Sequence, residues 1–274
     1  MNSKTILDYL SHIINVINLV KKYETSSKFA QQDVRRTFFA KVANALRVYY
    51  LGHDFEFIVS KLNARENYSV NEIPHIENIG WIMPVDTNAL FLQTYHSILK
   101  LNLLNDSWVC FESSIDEIFK TITTLDVREG IELRKYYQLV KLLKTFEITN
   151  ELDNKLRNIL REKHIPANNK WNTIFNLDYP AQRELKQDRE FLEFFGSCRN
   201  CMHNNSISFK DAHFKTKFGD YDFYIDKAIN FITGDLILDM VSELAEIFYV
   251  MCSAINYERI IIDPYSEQVE NDGH

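Results

Sequence analysis

The 274-residue chain carries 31 Lys and Arg against 38 Asp and Glu, a net charge of −7, and is 46% hydrophobic and 13% aromatic. That composition excludes a disordered chain, and it leaves no general excess of positive charge for sequence-blind binding along a nucleic-acid backbone. Seven glycines, no two closer than fifteen positions, exclude a Walker loop and a dinucleotide-binding turn, whose glycines must cluster so that backbone can approach phosphate; no cofactor is expected.

At the start of the chain, Met1 to Asp8 read as the beginning of a helix and lack the basic region and small-residue cleavage site of a secretion signal. The apolar run that follows is broken by Ser11, His12, Asn15 and Asn18, so no membrane span is expected. The four cysteines, Cys110, Cys198, Cys201 and Cys252, are too few for a disulfide framework and suit a reducing compartment, the cytoplasm.

Residues 4–22 place Ile6, Leu10, Ile13, Ile14, Ile17 and Val20 on one helical stripe. A second helix is predicted from about Ser27 to Tyr50, stopping at Gly52, and a short third over Phe55 to Leu62. Residues 63–85, with Pro74, Gly80 and Pro84, show no period and read as an irregular connection at a domain boundary. Asp86 can cap a helix to about Leu101, and Asp106 or Ser107 another to about Thr121. Helical spacing continues over 127–146 and again over a charged segment, 150–163.

Pro180 to Asn204 reads as a further helix, with proline in its first turn and Asn204–Asn205 suited to its C-terminal cap. Period-two alternation from Phe214 to Ile225 predicts a β-hairpin turning at Gly219-Asp220. Thr233 caps the last long helix, and Asp263 to His274 reads as a frayed polar tail. The fold class is therefore all-α, an antiparallel helical bundle with one short β-hairpin inserted before the last long helix. The expected division is an N-terminal helical segment over 1–62, which can pack on the rest, a connection over 63–85, a main domain over 86–258 and a tail over 259–274.

One run carries chemistry: Cys198-Arg199-Asn200-Cys201-Met202-His203-Asn204-Asn205. Residues four apart on a helix share a face, so Arg199 and His203 present a guanidinium beside an imidazole at a helix C-terminus. An imidazole exchanges protons near neutral pH, and a guanidinium grips phosphate oxygens as charge builds on them. Both suit phosphodiester cleavage in RNA. Glu112 or Ser113, from a preceding helix, can approach and orient the pair.

A helix carrying Arg-Asn and then His-Asn, followed by a hairpin and a long final helix, resembles the HEPN domain. The resemblance covers about residues 180–256. It implies a metal-independent endoribonuclease, of the kind found in prokaryotic toxin–antitoxin and antiviral defence systems, in which the RNA 2′-hydroxyl attacks the adjacent phosphorus. It assigns catalysis to Arg199, Asn200 and His203 and implies a homodimer that joins two copies of the motif, with a neutralising or activating partner. The interval between Arg199 and His203 is shorter than is usual in the family.

Asn204, Lys210, Lys215 and Lys217 are the candidate RNA-binding residues; the three lysines and Arg199 make a local positive patch in an acidic chain, with Phe209, Phe214 and Phe218 interleaved. The same pattern also describes a hairpin with one face buried and its lysines in water. Cationic residues near a helix C-terminus are favoured by the helix dipole whatever their function. The alternative to the nuclease is thus a catalytically inactive HEPN-like helical dimer binding a nucleotide or a protein. Cys198-x-x-Cys201-x-His203 contains zinc-ligand residue types, but a helix turns His203 away from both sulfurs, and no metal site is expected.

Overall fold

The structure, a computed structural model, describes residues 3–63, 88–143, 149–161, 165–176, 180, 183–255 and 260–264. Its helices are α1 (Ser3–Glu24), α2 (Val34–Asn63), α3 (Asn88–Ile122), α4 (Leu125–Glu132), α5 (Arg134–Leu142), α6 (Asn150–Leu160), α7 (Ala167–Phe175), α8 (Leu185–His203) and α9 (Gly234–Ala254). Strands β1 (Ala212–Thr216) and β2 (Gly219–Phe223) pair antiparallel between α8 and α9. Among the described residues this is the all-α bundle with one hairpin that the periodicity implies, and no helix is long and apolar enough to cross a membrane.

The bundle is built around α9, whose Ile237, Leu238, Met240, Val241, Leu244, Ala245, Ile247 and Phe248 are wholly buried. Thr233 caps it, accepting from the Leu236 amide at 3.1 Å. Phe248 meets Phe38 of α2 at 3.9 Å between ring centroids and Phe111 of α3 at 6.1 Å, so one ring joins three helices. The N-terminal helices α1 and α2 share this core with α3, α7, α8 and α9.

Several boundaries differ from the sequence reading, each for a physical reason. α2 begins at Val34, where buried Asp33 accepts from the Arg35 amide at 2.9 Å and from its guanidinium at 2.8 and 2.6 Å. It then runs through Gly52 without stopping. A Cβ there would lie 2.7 and 2.9 Å from the Leu99 methyls, so this glycine lets α3 approach closely. α3 likewise runs through Asp106 and Ser107, and Ser107 is fully buried instead of capping a helix. The helix expected over 127–146 is divided at Leu133, whose backbone (φ −95°, ψ 14°) ends α4.

The hairpin turns at Lys217-Phe218, not at Gly219-Asp220, since Thr216 pairs with Gly219. The Thr216 hydroxyl accepts from the Phe218 amide at 3.1 Å and donates to the Gly219 carbonyl, also at 3.1 Å, closing the turn at this register. At the other end of the chain, residues 260–264 are tied down rather than frayed. Val34 donates to the Ile261 carbonyl, Asp263 donates to the Gln32 carbonyl, and Ile261 and Asp263 are buried. The expected connection over 64–85 and the rest of the tail, 265–274, lie outside the described residues.

Candidate active site

α8 and α3 run antiparallel along each other. Trp108 of α3 stacks on Phe195 at 5.3 Å and lies against Gly196, where a Cβ would come within 3.1 Å of the indole. Phe191, Leu192, Phe195 and Cys198 form the buried stripe of α8. That register sets Asn105, one turn before Trp108, opposite the last turn of α8. The Asn105 Oδ1 lies 3.3 Å from Nε of Arg199 and 2.8 Å from Nε2 of His203. Arg199 is half-buried and His203 exposed.

The two contacts determine a tautomer. Guanidinium N–H groups only donate, so the Asn105 atom facing Arg199 must be its oxygen, and an oxygen can only accept from His203. Nε2 of His203 therefore carries the proton, and Nδ1 holds the free lone pair of the neutral ring. Among the described residues Nδ1 has no hydrogen-bond partner. Arg199 also donates from Nη1 to Asn200 Oδ1 at 3.1 Å. Two of the five guanidinium N–H groups are thus engaged, and the others remain available to an anion.

α8 ends at His203 because the chain reverses there. Asn205 and Ser206 have φ of 52° and 65°, the left-handed region that asparagine tolerates. Ser206 accepts from Ile229 at 2.7 Å, while Ser208 pairs with Lys227 and Asp226, so the reversal is pinned to the strand leaving the hairpin. Its effect is to bring Phe209 back beside the helix end. Asn200, His203, Asn204 and Phe209 line a shallow recess of about 310 Å³.

The expected site residues divide between two places. Arg199, Asn200, His203 and Asn204 come together at the C-terminus of α8. Lys210 follows Phe209, with its Nζ 5.8 Å from the centroid of the Phe214 ring. Lys215 and Lys217 do not join them. The hairpin runs back along α8, so both line a cavity of about 690 Å³ at the opposite end of that helix, with Arg183, Asp188 and Glu243. Of the interleaved aromatics, Phe214 is buried against Phe194 and Phe223 and Phe218 packs edge-on to Phe191; Phe209 alone of the three is largely exposed, at 63%.

Cys198 and Cys201 are buried, and burial pushes both thiols above their usual range, whereas His203 is on the surface. The three do not converge, and among the described residues no group of three His, Cys, Asp or Glu side chains is placed to hold a metal ion. The residue that bridges Arg199 and His203 is Asn105; among the described residues neither Glu112 nor Ser113 contacts the pair, and the Ser113 hydroxyl bonds locally to the Cys110 carbonyl. Asn105 lies directly before the Asp106-Ser107 pair that reads as a helix start, and no spacing in the sequence links it to α8. Compared with protein-family models, curated proteins and solved structures, the chain finds no match.

Proposed function

We propose that the protein is a metal-independent endoribonuclease of HEPN type, acting through Arg199 and His203. The observation that carries the reading is the shared acceptor: Asn105 Oδ1 takes a hydrogen bond from each residue, joining a guanidinium and an imidazole at an accessible surface. Neither side chain is consumed in capping its own helix. A pair retained only for the helix dipole has no need of a third residue that orients both.

In the proposed reaction, Nδ1 of His203 takes the proton of the RNA 2′-hydroxyl as its oxygen attacks phosphorus. The remaining Arg199 N–H groups hold the non-bridging oxygens, where negative charge accumulates. The P–O5′ bond breaks, leaving a 2′,3′-cyclic phosphate and a 5′-hydroxyl. In-line displacement puts the attacking and leaving oxygens on opposite sides of phosphorus, so one imidazole cannot serve both at once. A second copy of the chain supplies the imidazolium that protonates the 5′-oxygen, which makes the active species a homodimer.

The test is cleavage of a labelled single-stranded RNA in excess EDTA, beside His203→Ala. The wild-type protein should scatter light as a dimer of its 32.4 kDa chain. It should give cyclic-phosphate ends, and the variant should lose at least about a hundredfold in rate. No cleavage, or equal cleavage by the two proteins, overturns the proposal; binding without cleavage would then favour an inactive HEPN-like dimer that holds a nucleotide or a protein.

A further inference from the structure

The recess beside His203 has a composition that the cleavage chemistry does not require. Its wall is one aromatic ring, Phe209, 63% exposed, and its rim is the two carboxamides Asn200 and Asn204, one helical turn apart. Each amide has one of its four hydrogen-bonding positions committed. Asn200 Oδ1 accepts from Arg199, leaving its Nδ2 donors; Asn204 Nδ2 donates to the Ile207 carbonyl at 3.2 Å, leaving its Oδ1 as an acceptor. Among the described residues, neither remaining group has a partner. The recess thus offers a flat apolar face edged by free amide donors on Asn200 and a free amide acceptor group on Asn204, next to a guanidinium with free N–H groups.

An unmodified protein side chain that stacks on the ring brings no phosphate for the guanidinium. A ligand with a planar π-face, an edge carrying adjacent donor and acceptor, and a phosphate within reach matches all three features. We infer that this recess binds one unpaired nucleobase, stacked on Phe209 with its Watson–Crick edge on Asn200 and Asn204. A volume of about 310 Å³ lies at the lower end of the ~300–1,000 Å³ range of ligand pockets and suits a single base. A base within a duplex has its face and its Watson–Crick edge occupied, so paired RNA is excluded. This inference rests on the ribonuclease reading for its biological substrate, although the binding can be measured without cleavage.

The probe is a fluorescein-labelled ten-nucleotide 2′-fluoro oligoribonucleotide, which has no 2′-hydroxyl to react, beside the same strand with abasic residues. Both carry the same phosphates, so any difference in anisotropy titrations reports the bases. The wild-type protein should bind the strand with bases about tenfold more tightly, in the range measured for base–aromatic stacking. Phe209→Ala should lose that preference, and Phe209→Trp should keep it. Equal binding of the two strands by wild-type protein, or a preference undiminished in Phe209→Ala, overturns the inference. So does a fall from dimer to monomer in Phe209→Ala with the preference unmoved, because Phe209 would then be covered by a second copy. A base preference without cleavage leaves this site standing while the nuclease falls; cleavage without the preference does the reverse.

Discussion

A carboxamide oxygen has two lone pairs, and at Asn105 one faces Arg199 and the other His203. Because this oxygen dictates which imidazole nitrogen is protonated, Asn105 is a positioning residue. Its role is readable in a property that folding alone does not move. In nitrogen-15 spectra of neutral wild-type protein, His203 should show a protonated Nε2 and a pyridine-like Nδ1. Asn105→Ala should populate both tautomers and lower the cleavage rate with little change in KM. Asn105→Asp should restore the tautomer, because a carboxylate oxygen in the same place also accepts from Nε2. Unchanged spectra in Asn105→Ala would remove the residue from the mechanism. The pair Arg199 and His203 could be read from the sequence because four-residue spacing on a helix is a local property. Asn105, 94 positions before Arg199, could not.

At the level of elements, contacts between helices decided what local signals left open. Gly234 opens α9, where a Cβ would overlap the Tyr9 hydroxyl and lie 3.3 Å from that of Tyr49. The two hydroxyls share a 2.7 Å hydrogen bond, so Tyr9 cannot swing aside cheaply. Gly234→Ala gains at most about 1 kcal/mol in helix propensity, against about 1–3 kcal/mol for overpacking. It should lower the melting temperature, whereas Gly130→Ala, with open space around its Cβ, should raise stability by about 0.5–1 kcal/mol. If Gly234→Ala proves as stable as wild type, close approach is not what retains the glycine. The same distinction explains the reading of Gly52 as a helix stop: a glycine kept for a tight crossing and one kept for a cap look alike in a single sequence. α9 was legible because its cap and its stripe lie within its own residues. α7 was not, since nine residues show little more than two turns, and its Lys170 makes sense only beside Asp116 of α3.

Across the whole molecule, one ion-pair cluster ties α8, the hairpin and α9 together at the end opposite the candidate active site. Arg183 donates to Asp188 at 2.7 and 2.8 Å, to Glu243, and to Glu246 at 2.9 Å, while Lys217 of the hairpin turn also pairs with Glu243. In the contacts described, three carboxylates share two cations where Asp188 and Glu243 are each only 4% exposed. Burial, followed by repulsion from Glu243 and Glu246, pushes Asp188 up to about 7. The Arg183 fork opposes this rise, but one guanidinium divided among three carboxylates does not cancel it. An aspartate in the unfolded chain titrates near 4, so between about pH 4 and 7 the folded protein binds a proton that the unfolded chain has released. This contribution to stability is complete below the unfolded value and is lost as pH rises through the folded one. A group titrating near 7 forfeits about 1.4 kcal/mol between pH 6 and pH 8, or about 3–6 °C in melting temperature for a chain of this size. Asp188→Asn keeps the shape and an acceptor for Arg183 but removes the titration. Calorimetry should therefore find the wild-type melting temperature falling over that interval and that of the variant falling less steeply, since His213, raised by its pairing with Asp222, still titrates in the variant. A variant that falls as steeply as wild type would place the titrating group elsewhere. Because Arg199 and His203 lie at the other end of α8, the substitution should leave the pH dependence of cleavage unchanged at temperatures where both proteins are folded, separating a stabilising cluster from a catalytic one along a single helix.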